Sequence, residues 1–117
     1  MAQDGLALEL TRGPDAPATA RAAIARKMNG RLTAQRLFDL RVVVSTLVSN
    51  SIRNGAGPIE VQVRADGGAV RGTVADTGAA ASSLRKSARV NGRPGLAVLD
   101  AVARDWGAQG NEVWFVV

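Results

Sequence analysis

Cysteine, histidine and tyrosine are all missing from this 117-residue chain. Without cysteine there is no disulfide and no thiolate metal site, an absence that fits a cytoplasmic protein. Without histidine as well, the commonest zinc sites, every histidine-based nucleophilic triad and phosphotransfer to histidine are excluded. Aromatics amount to two tryptophans and two phenylalanines, so the core has to rest on Val, Leu, Ile and Ala. Long apolar runs are lacking too, and none approaches the roughly 20 residues that a membrane span needs. Met1 to Gly5 carries no basic stretch ahead of an apolar run, so no signal peptide is visible. A cytoplasmic location is the expectation.

What is present describes a folded domain. Hydrophobic residues make up 46% and charged residues 21%, a balance found in globular rather than disordered chains. The length suits one domain over 1–117. The net charge is +5, and every basic residue except Lys27 and Lys86 is arginine. These arginines are scattered, with no interleaved aromatics for base stacking, so a solvated basic surface is expected in preference to a nucleic-acid interface. A nucleic-acid binder would instead show a salt-sensitive DNA affinity.

Patterning gives the order of elements. Leu6-Ala7-Leu8-Glu9-Leu10 reads as a first strand ended by Gly13-Pro14. Asp15 is placed to cap a helix with Pro17 in its first turn, and Ala20, Ala23, Ile24 and Met28 repeat at helical spacing. Thr33 is a plausible N-cap for a long helix to about Asn54, stopped by Gly55-Ala56-Gly57-Pro58. Ile59 to Arg64 alternates strictly, as a half-buried strand does. Asp66-Gly67-Gly68 then makes a tight hairpin into a partner strand from Ala69 to Ala75. Asp76 to Gly92 has no period and reads as a long functional or mobile loop, in which Arg85, Lys86 and Arg89 are solvated. Gly95 opens a last helix, Gly107 to Gly110 turns the chain, and Val113 to Val117 closes it as a strand. Trp106 and Trp114 read as core fillers. The expected class is α+β: a two-layer α/β sandwich, with helices on one face of a mixed, mostly antiparallel sheet.

Within the long helix, Thr46, Asn50 and Asn54 stand four residues apart and line one stripe beside the apolar face of Leu37, Leu40, Val44, Leu47 and Val48. Short polar residues are poor helix formers, so the stripe is expected to face something polar. Asp76-Thr77-Gly78 follows a strand and fits either an ordinary turn or a carboxylate accepting an exocyclic amine. Gly92-Arg93-Pro94-Gly95-Leu96 precedes a helix, whose free N–H groups and dipole suit a phosphate.

Taken in order, these pieces resemble the ATP-binding domain shared by gyrase B, chaperone, mismatch-repair and sensor histidine kinase ATPases. Within that superfamily the chain resembles the small anti-sigma factor serine kinases. Ala20 to Ala23, Leu37 to Ser45, Val98 to Gly107 and Val113-Trp114 carry the likeness. The resemblance implies ATP and Mg²⁺ as cofactors. It makes Asn50 the Mg²⁺ ligand, with Arg53 and Asn54 toward the phosphates. Asp76 becomes the adenine-binding carboxylate, Gly78 the glycine under the base, Gly95 and Leu96 the second glycine box, and 79–93 the ATP lid.

There are departures from the family pattern. Thr46 stands where the family has a glutamate base, and a hydroxyl has no useful basicity at neutral pH. Asn54 stands where histidine is common, Ala80 replaces a glycine, and Arg93-Pro94 replaces residues with free N–H groups. Asn111 and Glu112 sit where threonines often help hold adenine. The implied function is an ATP-binding regulatory protein with weak or no kinase activity, and no catalytic residue is assigned. It would act as a homodimer on a sigma factor or anti-anti-sigma factor. The alternative is a nucleotide-free interaction module that keeps the fold.

Overall fold

The alternation that marks strands and the 3.6-residue repeat that marks helices both work out as written. The computed structural model describes residues 5–78 and 94–117. Strand β1 (Gly5–Leu10) leads to helices α1 (Ala16–Met28) and α2 (Ala34–Asn54). Strands β2 (Ile59–Asp66) and β3 (Ala69–Ala75) follow, then helix α3 (Pro94–Val102) and strands β4 (Asp105–Gln109) and β5 (Glu112–Val116). The sheet order is β1-β2-β3-β5-β4, and each pairing is antiparallel. The expected sandwich forms, and the parallel component allowed for a mixed sheet is not found among the described residues.

One face of the sheet carries the core. Leu10, Ile59, Val61, Val63, Val70, Val74, Val113 and Phe115 are buried against Ala20, Ile24 and Met28 of α1, Leu40, Val43, Val44, Leu47 and Val48 of α2, and Leu99 of α3. Gly72 opens the middle of this face: a Cβ there would lie 2.6 Å from the Gln62 carbonyl oxygen and run into the Phe115 ring. Among the described residues no helix is long and apolar enough to cross a membrane.

Local signals hold with two exceptions. Thr33 caps α2, its hydroxyl accepting from the Arg36 N–H at 3.1 Å. Gly67 and Gly68 both have positive φ (56° and 86°), the backbone that a two-residue hairpin twisted with its strands requires. Asp15 occupies the cap position of α1, but its side chain makes no capping bond. The expected turn over Gly107 to Gly110 is the larger correction, because Asp105–Gln109 is strand β4 and the turn lies at Gly110-Asn111. Gly107 is needed for close approach: its Cβ would lie 2.7 Å from the Trp114 ring. Trp106 fills the core at 1% exposure and donates from Nε1 to Asp100 Oδ1 at 2.8 Å. Trp114 is not in the core. It is half-buried on the helix-free face, over Gly107.

Candidate nucleotide site

The buried polar residues among those described are two neighbours on α2, Asn50 at 4% exposure and Ser51 at 7%. Polar groups out of water are costly unless bonded, and both find partners. The Asn50 carboxamide oxygen accepts from Asn54 Nδ2 at 3.1 Å, one turn on. The Ser51 hydroxyl donates to Asp76 Oδ2.

Asp76 is the centre of the cluster. It follows β3 directly and is bracketed on its backbone by Asn111, whose backbone carbonyl accepts the Asp76 N–H at 3.2 Å and whose side-chain Nδ2 donates to the Asp76 carbonyl. Its Oδ1 accepts the Gly78 N–H at 2.7 Å, which folds the Asp-X-Gly segment back on itself. Its Oδ2 lies 3.6 Å from Arg12 Nη2. Arg12 reaches in from beyond β1: Nε donates to the Gly57 carbonyl at 2.9 Å, Nη2 to Ser51 Oγ at 3.2 Å, and Nη1 to the Ser51 carbonyl. The pair is largely shielded, at 24% and 12% side-chain exposure.

Glycine makes this approach possible. A Cβ on Gly55 would fall onto Asp76 Oδ2 and lie 2.7 Å from its Cγ, so only hydrogen fits. Gly57 has φ 72° and lies against the Thr77 side chain. Thr77 ties its N–H and its hydroxyl to the Ala56 carbonyl, both at 2.9 Å. Gly78 packs on the same backbone, its Cβ position 3.2 Å from the Ala56 N.

Of the residues singled out from the sequence, the fold brings Asp76 and Gly78 into one corner with the C-terminal end of α2. Asn50 and Asn54 pair beside it, Thr46 is half-buried and Arg53 is exposed. Gly95 and Leu96 lie in the first turn of α3, behind Pro94 at its start. The lid over 79–93, with Ala80, Arg85, Lys86, Arg89 and Arg93, lies outside the described residues. Sequence reasoning missed Arg12 and Ser51 and read Gly55 only as a helix stop. Ser51 had a signal, since it adjoins Asn50 on the buried side of the helix. Arg12 had none, because nothing local links it to a residue 64 positions on. As for a cation, the described residues hold no group of three or more His, Cys, Asp or Glu. The one buried carboxamide oxygen, on Asn50, is a hard donor of the kind such a cation takes, and here it accepts from Asn54 Nδ2.

No family model matches the chain, and no curated protein matches it. Among solved structures, it is similar to the RsbU and RsbW domains of Rv1364c from Mycobacterium tuberculosis. The TM-score is 0.70 at 20% identity, over 97% of this chain and 30% of that one. The likeness establishes the fold as an α+β histidine-kinase-like ATPase fold of the RsbW kind. The chain spans less than a third of the length of that structure.

Proposed function

We propose that this chain is an ATP-binding regulatory protein of the anti-sigma factor serine/threonine kinase type, with weak or no kinase activity. Residues 1–117 would work as a single histidine-kinase-like ATPase domain in the cytoplasm. It would act on a sigma factor or anti-anti-sigma factor in transcriptional regulation, as a homodimer. One observation carries the reading. The carboxylate of the Asp-X-Gly segment sits in a corner walled by glycine backbone, next to the buried polar pair Asn50 and Ser51.

In this reading, Asp76 accepts the exocyclic amine of adenine and Gly78 lets the base lie close. Asn50 holds Mg²⁺, and Arg53 and Asn54 lie toward the phosphates. The first-turn N–H groups of Gly95 and Leu96 serve the phosphate end. When bound, the ion would supply positive charge to offset that of the phosphates. Thr46 offers a hydroxyl in place of a base, so binding outlasts phosphoryl transfer, although positioning and charge do much of that chemistry.

The second reading, a nucleotide-free interaction module, is favoured by the engagement of both Asp76 oxygens within the chain, Oδ1 by the Gly78 N–H and Oδ2 by Ser51 and Arg12. Calorimetry with ATP or ADP and Mg²⁺ separates the two. The first expects a Kd in the micromolar range that weakens in Asp76→Asn and Asn50→Ala, whereas no detectable binding at millimolar nucleotide, by calorimetry and thermal shift alike, sinks the first and promotes the second. Phosphorylation of a partner serine is expected to rise in Thr46→Glu. Equal rates in the two proteins would show that the missing carboxylate is not what limits transfer.

A further inference from the structure

The net charge of the chain is concentrated in its first two helices. Residues 16–54, which make up α1, α2 and the link between them, hold seven basic residues and one acid, Asp39. The rest of the chain holds eight basic residues and nine acidic ones, so the overall +5 belongs to this helix pair. Arg26, Lys27 and Arg53 are exposed, and Asp39 already accepts from Gln35 Nε2 at 2.9 Å. Two side chains of α2 are left unsatisfied in this basic layer. Phe38 is 58% exposed, the one large hydrophobic residue so placed among those described. Arg41, three residues on, is half-buried and has no hydrogen bond or ion pair among the described residues. Its Nε is the one buried side-chain nitrogen or oxygen among them that lacks a partner. An orphaned N–H out of water is costly and calls for a cause.

Both lie along one seam. Phe38, Val42, Ser45 and Ser49 follow at spacings of four, three and four, so they run down one side of α2, turned away from buried Leu40, Val44, Leu47 and Val48. The seam holds no charge, and the Ser45 hydroxyl turns back to the Val42 carbonyl at 3.3 Å. Arg41 flanks it, three residues from Phe38 and four from Ser45, the spacing of neighbours on a helix surface. From end to end the seam measures about 16 Å, three helical turns. That spacing suits a second helix laid along the first. Aromatic residues and arginine are also the side chains enriched in the cores of protein interfaces. An anionic bilayer would call for a broad apolar face, and nucleic acid would use the arginines and leave Phe38 idle. A second copy of the chain would bring positive charge against positive charge.

We infer that the Phe38–Arg41 seam of α2 is the docking site for an acidic amphipathic helix of another protein. Apolar side chains of that helix pack on Phe38 and Val42. A carboxylate on its flank draws out the Arg41 guanidinium and takes Nε–H and an Nη–H together, the two-point geometry that suits arginine. The excess of positive charge on α1 and α2 steers an acidic partner toward the seam. The inference rests on the protein-partner part of the proposed function, to which it gives a surface and a chemistry, and it does not involve the Asp76 corner.

The probe is a three-heptad synthetic helix with leucine at positions a and d and glutamate at e and g, titrated into the full chain. Fluorescence polarisation is expected to give a Kd in the micromolar range, and amide NMR shifts should centre on residues 38–49. Phe38→Ser should weaken binding about tenfold, the effect of losing an interface anchor. Its amide spectrum elsewhere should stay unchanged, because the side chain is exposed. Arg41→Met should cost the glutamate peptide about tenfold, cost a glutamine version little, and raise Tm, since the orphaned Nε is gone. A merely structural Arg41 would lower Tm and leave the glutamate peptide's affinity alone, and that result overturns the inference. So do equal affinities in Phe38→Ser and the unmodified chain, or shifts centred away from residues 38–49. Absence of binding at millimolar peptide overturns it too, whether or not duplex DNA or phosphatidylglycerol vesicles then shift the same residues. Nucleotide calorimetry on Phe38→Ser reads the Asp76 corner alone, so either conclusion can fail without the other.

Discussion

The two ends of α2 are both tied down by an arginine, and they differ in what the arginine meets. At the N-terminal end Arg36 donates to the backbone oxygens of Gly68 and, at 3.2 Å, Val117, fastening the helix to a hairpin and to the residue that follows β5. At the C-terminal end Arg12 also holds backbone carbonyls, those of Ser51 and Gly57, but continues onto a carboxylate and a buried hydroxyl. Fastening a helix requires only the first kind of contact. The second end commits a buried hydroxyl, an arginine and a glycine-only contact to holding one carboxylate in place. That surplus is the physical ground for placing function there.

Gly55→Ala should break this comparison hardest. The new methyl group falls on the Asp76 carboxylate, with an expected loss of about 3 kcal/mol in urea unfolding. Nucleotide affinity should fall with it. A Gly55→Ala protein that keeps both would show the corner to be looser than its geometry.

Exchanging the two arginines for methionine sharpens the contrast. Arg12→Met and Arg36→Met should each cost about 1–2 kcal/mol through lost charged hydrogen bonds. Only Arg12→Met should alter nucleotide affinity, because only Arg12 touches Asp76. Lower affinity means that Arg12 positions the carboxylate, and higher affinity means that it competes for it. Equal affinities in the two variants would dissolve the comparison.

Thr33→Ala is the smallest change. Losing the cap bond to the Arg36 N–H should cost about 1 kcal/mol in thermal or urea unfolding. Calorimetry should find nucleotide binding unaltered, as expected of an end that serves stability alone.

Much of the fold was legible locally. The Thr33 cap, the α2 face, the Gly67-Gly68 hairpin and the alternation of Ile59 to Arg64 depend on neighbours within a few residues, and all appear where the pattern put them. Strand β4 was not legible. Trp106 and Ala108 alternate inward too briefly to stand out, and Gly107 and Gly110 imitate a turn. Gly107 is a glycine because Trp114, on the next strand, lies over it. Of the candidate site, Asn50, Asp76 and Gly78 were legible as motif residues, while Ser51, Gly55 and Arg12 became part of it only through contacts across the chain.

The sequence alone determined the type of every element but β4, the absence of histidine and cysteine chemistry, and the presence of a hydroxyl at Thr46 where the resemblance implies a base. These follow from residue identity and from spacing within single elements. Only the tertiary structure decided that Arg12 reaches Asp76 and that Gly55 admits no side chain. Such pairings depend on strand register and loop closure, which bring together residues that no local period connects.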